Sequence, residues 1–166
     1  MALFQQSEEL STMAEILIAD HYPEIARNGL RIAYLFKQTM PKKAGVCRKV
    51  SDLDRQLHGF DFTITINHDL WDAAAERGDP EWQKAILDHE LAHVGISIDE
   101  ESGEPKRDEE SGLIKTTILK HNVEEFEDIL GRYGTYADDL RRFIRVYQAR
   151  QEGVTVTPVQ VEEAGR

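Results

Sequence analysis

Residues 89–93 read His-Glu-Leu-Ala-His, and no other feature restricts this chain as tightly. On a helix, positions four apart share a face, so His89 and His93 project together and can grip one metal ion, with Glu90 beside the first. The pattern therefore demands a helix beneath it, and the flanking residues predict one. Asp79 is a suitable N-cap, Pro80 suits the first helical position, and Gly95 is expected to close the C-terminus in a left-handed conformation. Trp82, Ile86, His89 and His93 fall on one side at helical spacing, with Leu87, Leu91 and Val94 nearly opposite. Glu81, Lys84 and Asp88 form a narrow polar stripe between them. Two apolar faces predict a helix packed into a core from below, with His89, Glu90 and His93 turned toward a cleft.

Two imidazoles do not complete a catalytic zinc site, which takes three protein ligands and leaves one position open. The candidates for the third stand in Lys120-His121-Asn122-Val123-Glu124-Glu125-Phe126. His121, at the expected head of a helix, is preferred, with Glu124 or Glu125 as the alternative. Glu124 and Asp128 are four apart, so one could bind metal while the other orients a histidine. Against a carboxylate, Glu124, Glu125, Glu127 and Asp128 form a charge run of the kind that coats a solvated helix face. His21, His58 and His68 are expected to be structural or exposed.

The formal net charge of -11 over 166 residues argues against nonspecific adhesion to nucleic acid or anionic membrane. Arg27, Arg31, Lys37, Lys42, Lys43, Arg48, Lys49 and Arg55 do concentrate in one stretch, which is read as a solvated face. Cys47 is the single cysteine, so neither an intrachain disulfide nor a multi-cysteine zinc site is possible, and it is expected to serve as a small apolar residue in a strand. No basic segment followed by an apolar run opens the sequence, and no stretch is long and apolar enough to span a bilayer; cytoplasm is the expected location.

Along the chain, Leu10, Met13, Ile16 and Leu17 mark a helix from Ser7 to Asp20, capped by Ser7. Tyr22-Pro23 breaks it, and a second helix is expected near Glu24 to Phe36. Residues 44–50 read as a strand, followed by a polar loop containing Asp52, Asp54 and Gly59. Phe60 to Asn67 alternates strictly, with Phe60, Phe62, Ile64 and Ile66 on one side, and is the clearest strand. A short helix from His68 to about Arg77 ends at Gly78. Gly95–Ile98 and Leu113–Leu119 predict a long hairpin with an exposed, mobile acidic tip. A helix then begins at His121 or Asn122 and stops at Gly134. A last helix from about Tyr136 to Gln151 turns Leu140, Phe143, Ile144 and Tyr147 inward. No internal repeat is read. These elements predict one α+β domain over residues 1–152 and a flexible tail over 153–166.

The HELAH segment, the downstream His121-Asn122-Val123-Glu124-Glu125-Phe126 and the later Arg132-Tyr133-Gly134 together resemble the phage metallopeptidase family of zincin-like domains. The resemblance takes in Ile32-Ala33-Tyr34-Leu35-Phe36 and the strand-loop-strand from Ala44 to Asn67. It implies a small antiparallel or mixed sheet packed against an active-site helix, with further N- and C-terminal helices, in a metal-dependent peptidase encoded by a phage or prophage. A more distant similarity is to SprT-like and WLM-type minimal zincins, which place the third histidine closer to the first two. The metzincin class is excluded, because Val94, Gly95 and Ile96 follow His93 and no Met lies downstream.

The expected chemistry is peptide hydrolysis. Zn2+ held by His89, His93 and His121 activates a bound water, with Glu90 as general base. Thr63, Thr65 and Asn67 mark the strand expected along the cleft rim, whose free edge could pair with an extended substrate. Tyr133 and Tyr136 are candidate oxyanion donors. The partner is then a protein or peptide substrate, and the acidic balance argues against nucleic acid. Two rival readings are a non-catalytic zinc-bound adaptor that captures a peptide, and a DNA-associated SprT-like protease using the basic segment. Oligomeric state is not legible.

Overall fold

The computed structural model describes residues 3–121 and 138–153. The chain separates into two compact units, Met1–Lys120 and His121–Arg166. The first holds a mixed sheet of β1 (Phe4–Gln6), β2 (Ile32–Lys37), β3 (Gly45–Lys49) and β4 (Phe62–Asn67), ordered β1-β2-β4-β3. β2 and β4 run parallel, while β1 and β3 lie antiparallel to their neighbours. A separate two-stranded ribbon pairs β5 (Val94–Ile96) with β6 (Thr116–Ile118). The described helices are α1 (Glu8–His21), α2 (Pro23–Arg27), α3 (Asp52–His58), α4 (His68–Glu76), α5 (Pro80–Leu91) and, in the second unit, α6 (Asp138–Gln151). The expected α+β class holds.

The sheet's register explains the core. Tyr34, Ile64 and Cys47 form one cross-strand row, and Phe36, Ile66 and Gly45 the next. The large residues of these rows pack with Leu10, Ala14 and Leu17 of α1 and Leu87 and Leu91 of α5 in one buried cluster. Ser7 caps α1 as expected, its Oγ accepting the Leu10 N–H at 3.1 Å. Asn67 caps α4, its side chain accepting the Leu70 N–H, and Gly78 follows that helix at φ +68°.

Several expectations need correction. The helix after Pro23 ends at Arg27, with Gly29 at φ +63°, and Ile32–Lys37 is a strand. Five successive apolar residues suit a strand covered on both faces, and the parallel partner β4 supplies its backbone bonds. The polar loop at Asp52–Gly59 is helix α3, capped by Ser51 and closed by left-handed Gly59. β4 is central, and Thr65 and Asn67 are buried along with the apolar residues that alternate with them.

Gly95 does not cap α5. That helix ends at Leu91, with Ala92 right-handed, and the His93 N–H reaches back to Glu90 O at 3.3 Å. Gly95 instead pairs with Thr117 in the ribbon, where an added Cβ would stand 2.7 Å from Leu119 Cγ. The glycine makes room for packing.

The acidic hairpin contains a nine-residue repeat that sequence reading passed over. Asp-Glu-Glu-Ser-Gly occurs at 99–103 and again at 108–112. In each copy the aspartate Oδ1 accepts both N–H groups of the next turn and the serine hydroxyl. Each copy also ends in a left-handed glycine whose N–H returns to the aspartate carbonyl. The single long hairpin is therefore folded back on itself, with Ser97, Lys106 and Lys115 joined in turn by backbone bonds.

In the second unit, α6 buries Leu140, but Phe143 and Tyr147 are each 60% exposed rather than inward. Periodicity identifies the apolar stripe of a helix and not how far along it the cover extends. Apart from His121, which is described and not helical, the helix expected from His121 or Asn122 to Gly134 lies outside the described residues, together with Glu124, Glu125, Asp128, Tyr133 and Tyr136; so does 154–166 of the expected tail. No described helix is long and apolar enough to cross a membrane.

Candidate metal centre

α5 is held at both ends before it presents any chemistry. Asp79 Oδ1 accepts the Trp82 N–H at 3.1 Å, with Pro80 first in the helix, as the sequence predicts. Gln83 Nε2 donates to Trp71 O at 3.0 Å, fastening the helix to α4. Near the other end the Tyr22 hydroxyl donates to Asp88 Oδ1 at 2.7 Å and to its carbonyl at 3.1 Å. Burial, then the bond to Asp88, drives the Tyr22 pKa well above the ordinary tyrosine range, so this tie persists as a neutral donor. It clamps the residue immediately before His89.

His89 lies in the last helical turn and His93 in the turn just beyond, their ring centroids 5.1 Å apart and nearly perpendicular. His121 joins them: one ring nitrogen from each of the three residues falls within 4.8 Å of the others. His93 Nδ1 stands 2.6 Å from the Leu119 carbonyl oxygen. A carbonyl only accepts, so Nδ1 carries the proton and Nε2 keeps the lone pair that a metal needs. The Leu119 N–H in turn bonds His93 O at 2.9 Å, extending the β5–β6 ribbon to this point. Three imidazoles so close, one with its tautomer fixed by a backbone acceptor, form a donor set that fits Zn2+ or another borderline divalent ion.

Glu90 does not share the histidines' face. It lies with Gln83, Leu87 and Leu91 on the buried side of α5 and is 5% exposed. Its carboxylate rests on β3. A Cβ built at Gly45 would stand 2.7 Å from Glu90 Oε1 and 2.8 Å from its Cγ. Cys47, two residues along the same face, has its thiol pushed up to about 12 by burial and, secondarily, by the Glu90 charge.

The expected substrate edge needs correction. β4, carrying Thr63, Thr65 and Asn67, is paired on both sides, so it offers no free edge. Asn67 is further occupied, its amide donating to Met40 O and Lys43 O. The outer strand of the sheet on this side is β3. The Asn67 N–H bonds Ala44 O and the Val50 N–H bonds Asp61 O. By alternation, the backbone groups of Gly45, Cys47 and Lys49 point away from β4. Thr63 does line a cavity of about 450 Å³ with Arg48, Lys49, Val50, Ser51, Asp54, His58 and Phe60, at the far end of this strand.

Of the remaining histidines, His68 stacks on Phe36 at 4.5 Å between centroids, and none of them belongs to the cluster of three. Gly45 is the site residue that sequence reading missed. A single glycine opening a strand carries no signal beyond its lack of a side chain.

A family model described as Putative phage metallopeptidase matches residues 2–148 of the chain. No curated protein and no solved structure matches it.

Proposed function

The chain belongs to the Putative phage metallopeptidase family, and we propose that it is a zinc-dependent peptidase, encoded by a phage or prophage, that hydrolyses peptide bonds with Glu90 as general base. The observation that carries this reading is a buried glutamate one residue from a cluster of three imidazoles whose ring nitrogens lie within 4.8 Å. His89, His93 and His121 would hold the ion. Bound there, zinc supplies a Lewis acid and lowers the pKa of a water toward neutrality.

The rest of the work falls to this chain's own groups. Glu90 takes the proton of the attacking water and returns it to the departing amine. Its burial excludes competing bulk water from the carboxylate. An extended substrate pairs with β3, whose Gly45, Cys47 and Lys49 backbone groups face outward, and so runs past Glu90. Backbone pairing accepts many side chains, which fits a protein or peptide substrate selected mainly by pockets beside the strand. The cavity beside Arg48, Lys49 and Thr63 is placed to take one such side chain.

Glu90→Gln tests the assignment. The variant is expected to keep its fold and stoichiometric zinc and to lose peptide cleavage by about a hundredfold or more. Unchanged cleavage would remove Glu90 from the mechanism. Zinc retention in a wild-type protein that cleaves no member of a peptide library would favour the peptide-capturing adaptor instead.

A further inference from the structure

Gly45 stands in a row of large residues without a side chain of its own. Its cross-strand neighbours are Ile66 and, beyond it, Phe36, both buried in the core cluster to which α1 and α5 also contribute. The backbone does not require glycine here, since Gly45 lies in a strand and is not among the residues with positive φ. The requirement is one of space. A methyl group at 45 would overlap Glu90 along its length, at 2.7 Å from Oε1, 2.8 Å from Cγ and 3.0 Å from Cδ. Real Cβ atoms do not approach other heavy atoms so closely, and Glu90, 5% exposed, has no solvent to swing into.

The volume that a side chain at position 45 would fill is therefore taken by the Glu90 carboxylate. Two consequences follow. The carboxylate is packed against strand backbone, so its position is fixed to within the play of a close-packed contact. And the backbone it touches belongs to the outer strand at a residue whose own N–H and C=O face away from β4. Any chain pairing with that edge would run beside the carboxylate.

We propose that Gly45 is a positioning residue: by lacking a side chain it seats Glu90 against β3 and fixes the register at which a strand-paired substrate meets the base. The proposal rests on the peptidase reading for its catalytic part and on packing alone for its structural part.

A double-mutant cycle separates the two. Wild type, Gly45→Ala, Glu90→Ala and the double variant are unfolded in urea, with zinc content and peptide cleavage measured in parallel. Gly45→Ala alone is expected to raise the unfolding equilibrium constant by about tenfold, as overpacking does. In the Glu90→Ala background, where the side chain it would strike is gone, the same change is expected to alter that constant by less than about twofold. Equal effects in both backgrounds would overturn the seating of Glu90 by Gly45. In the single variant kcat is expected to fall by about a hundredfold, with KM within about twofold and zinc still stoichiometric. Coupled stability with an undiminished kcat would overturn the positioning role. A wild-type protein that binds zinc but cleaves nothing would overturn the peptidase reading and with it the catalytic part, while the unfolding cycle still decides the packing.

Discussion

His93 and Leu119 are joined twice: His93 Nδ1 lies 2.6 Å from the Leu119 carbonyl oxygen, and the Leu119 N–H bonds the His93 carbonyl at 2.9 Å. The ribbon formed by β5 and β6 thus returns the chain, after the acidic repeat, to the end of α5. It also sets His121 two residues from a fixed point beside His93.

This geometry predicts which side chains hold metal. His89→Ala, His93→Ala and His121→Ala are each expected to weaken zinc binding by more than about a hundredfold, a loss above that of removing an orienting partner. Glu124→Gln and Glu125→Gln are expected to leave it within about threefold. Competition with a chromophoric chelator reads all five variants. Strong binding by His121→Ala with weak binding by a glutamate variant would transfer the third position to a carboxylate.

The outer edge of β3, the terminal strand of its sheet, yields a paired prediction. The Lys49 N–H faces outward, whereas Arg48 lies opposite Thr63 in a pair that exchanges backbone bonds. Proline is tolerated in an edge strand where its missing N–H faces solvent. Lys49→Pro should therefore keep the fold and raise KM for a peptide several-fold, with kcat nearly unchanged. Arg48→Pro should lose stability instead. Melting curves and steady-state kinetics distinguish them, and an unaltered KM in Lys49→Pro would show that substrate does not pair there.

Much of this site was legible because its local rules agree. Asp79, Pro80 and the apolar spacing of residues 82–94 specify a helix that terminates near two histidines, and the helix forms. Three of the features that escaped did so for different reasons. Ile32–Phe36 follows helix-favouring Glu24-Ile25-Ala26, and a short apolar run does not declare its period; only pairing with β4 decides it. Gly95 sits where a helix cap belongs, yet the partner strand twenty-two residues on takes it into a ribbon. The placing of Glu90 on the core side of α5 depends on a gap at Gly45, a contact between residues forty-five apart that no local pattern encodes.

Arg55 and Asp61 form an ion pair whose rupture should be costly. Arg55 is 7% exposed; its Nε and Nη2 donate to Asp61 Oδ1 at 2.9 and 2.5 Å, and Nη2 also reaches Ile114 O at 3.0 Å. Asp61 Oδ2 accepts the Arg31 N–H at 2.8 Å. Asp61→Asn leaves a buried guanidinium without its counter-charge and is expected to destabilise the protein by about 3 kcal/mol. Asp52, 80% exposed and 3.6 Å from the same arginine, should cost less than about 1 kcal/mol when neutralised. Urea unfolding of Asp61→Asn and Asp52→Asn measures both, and equal losses would contradict the difference in burial.

The two Asp-Glu-Glu-Ser-Gly turns should titrate alike and independently. Asp99 is held below the usual aspartate range, first by the Ser102 backbone N–H, then by its hydroxyl and the Glu101 N–H, with Lys106 adding charge. Asp108 is lowered by the same set from Ser111 and Glu110, with Lys115 in the place of Lys106. A carboxyl whose folded pKa is depressed stabilises its turn above the unfolded value, near pH 4, and the contribution is lost as pH falls through the folded pKa. Carbon-detected NMR titration should therefore show both carboxyls protonating below the usual aspartate range. Ser102→Ala should raise only the Asp99 value, and Ser111→Ala only that of Asp108. The nine-residue repeat would be a coincidence of sequence, with no shared structure behind it, if one aspartate titrated normally while the other stayed low. A common depression that each serine controls separately is what two copies of one hydrogen-bonded turn require.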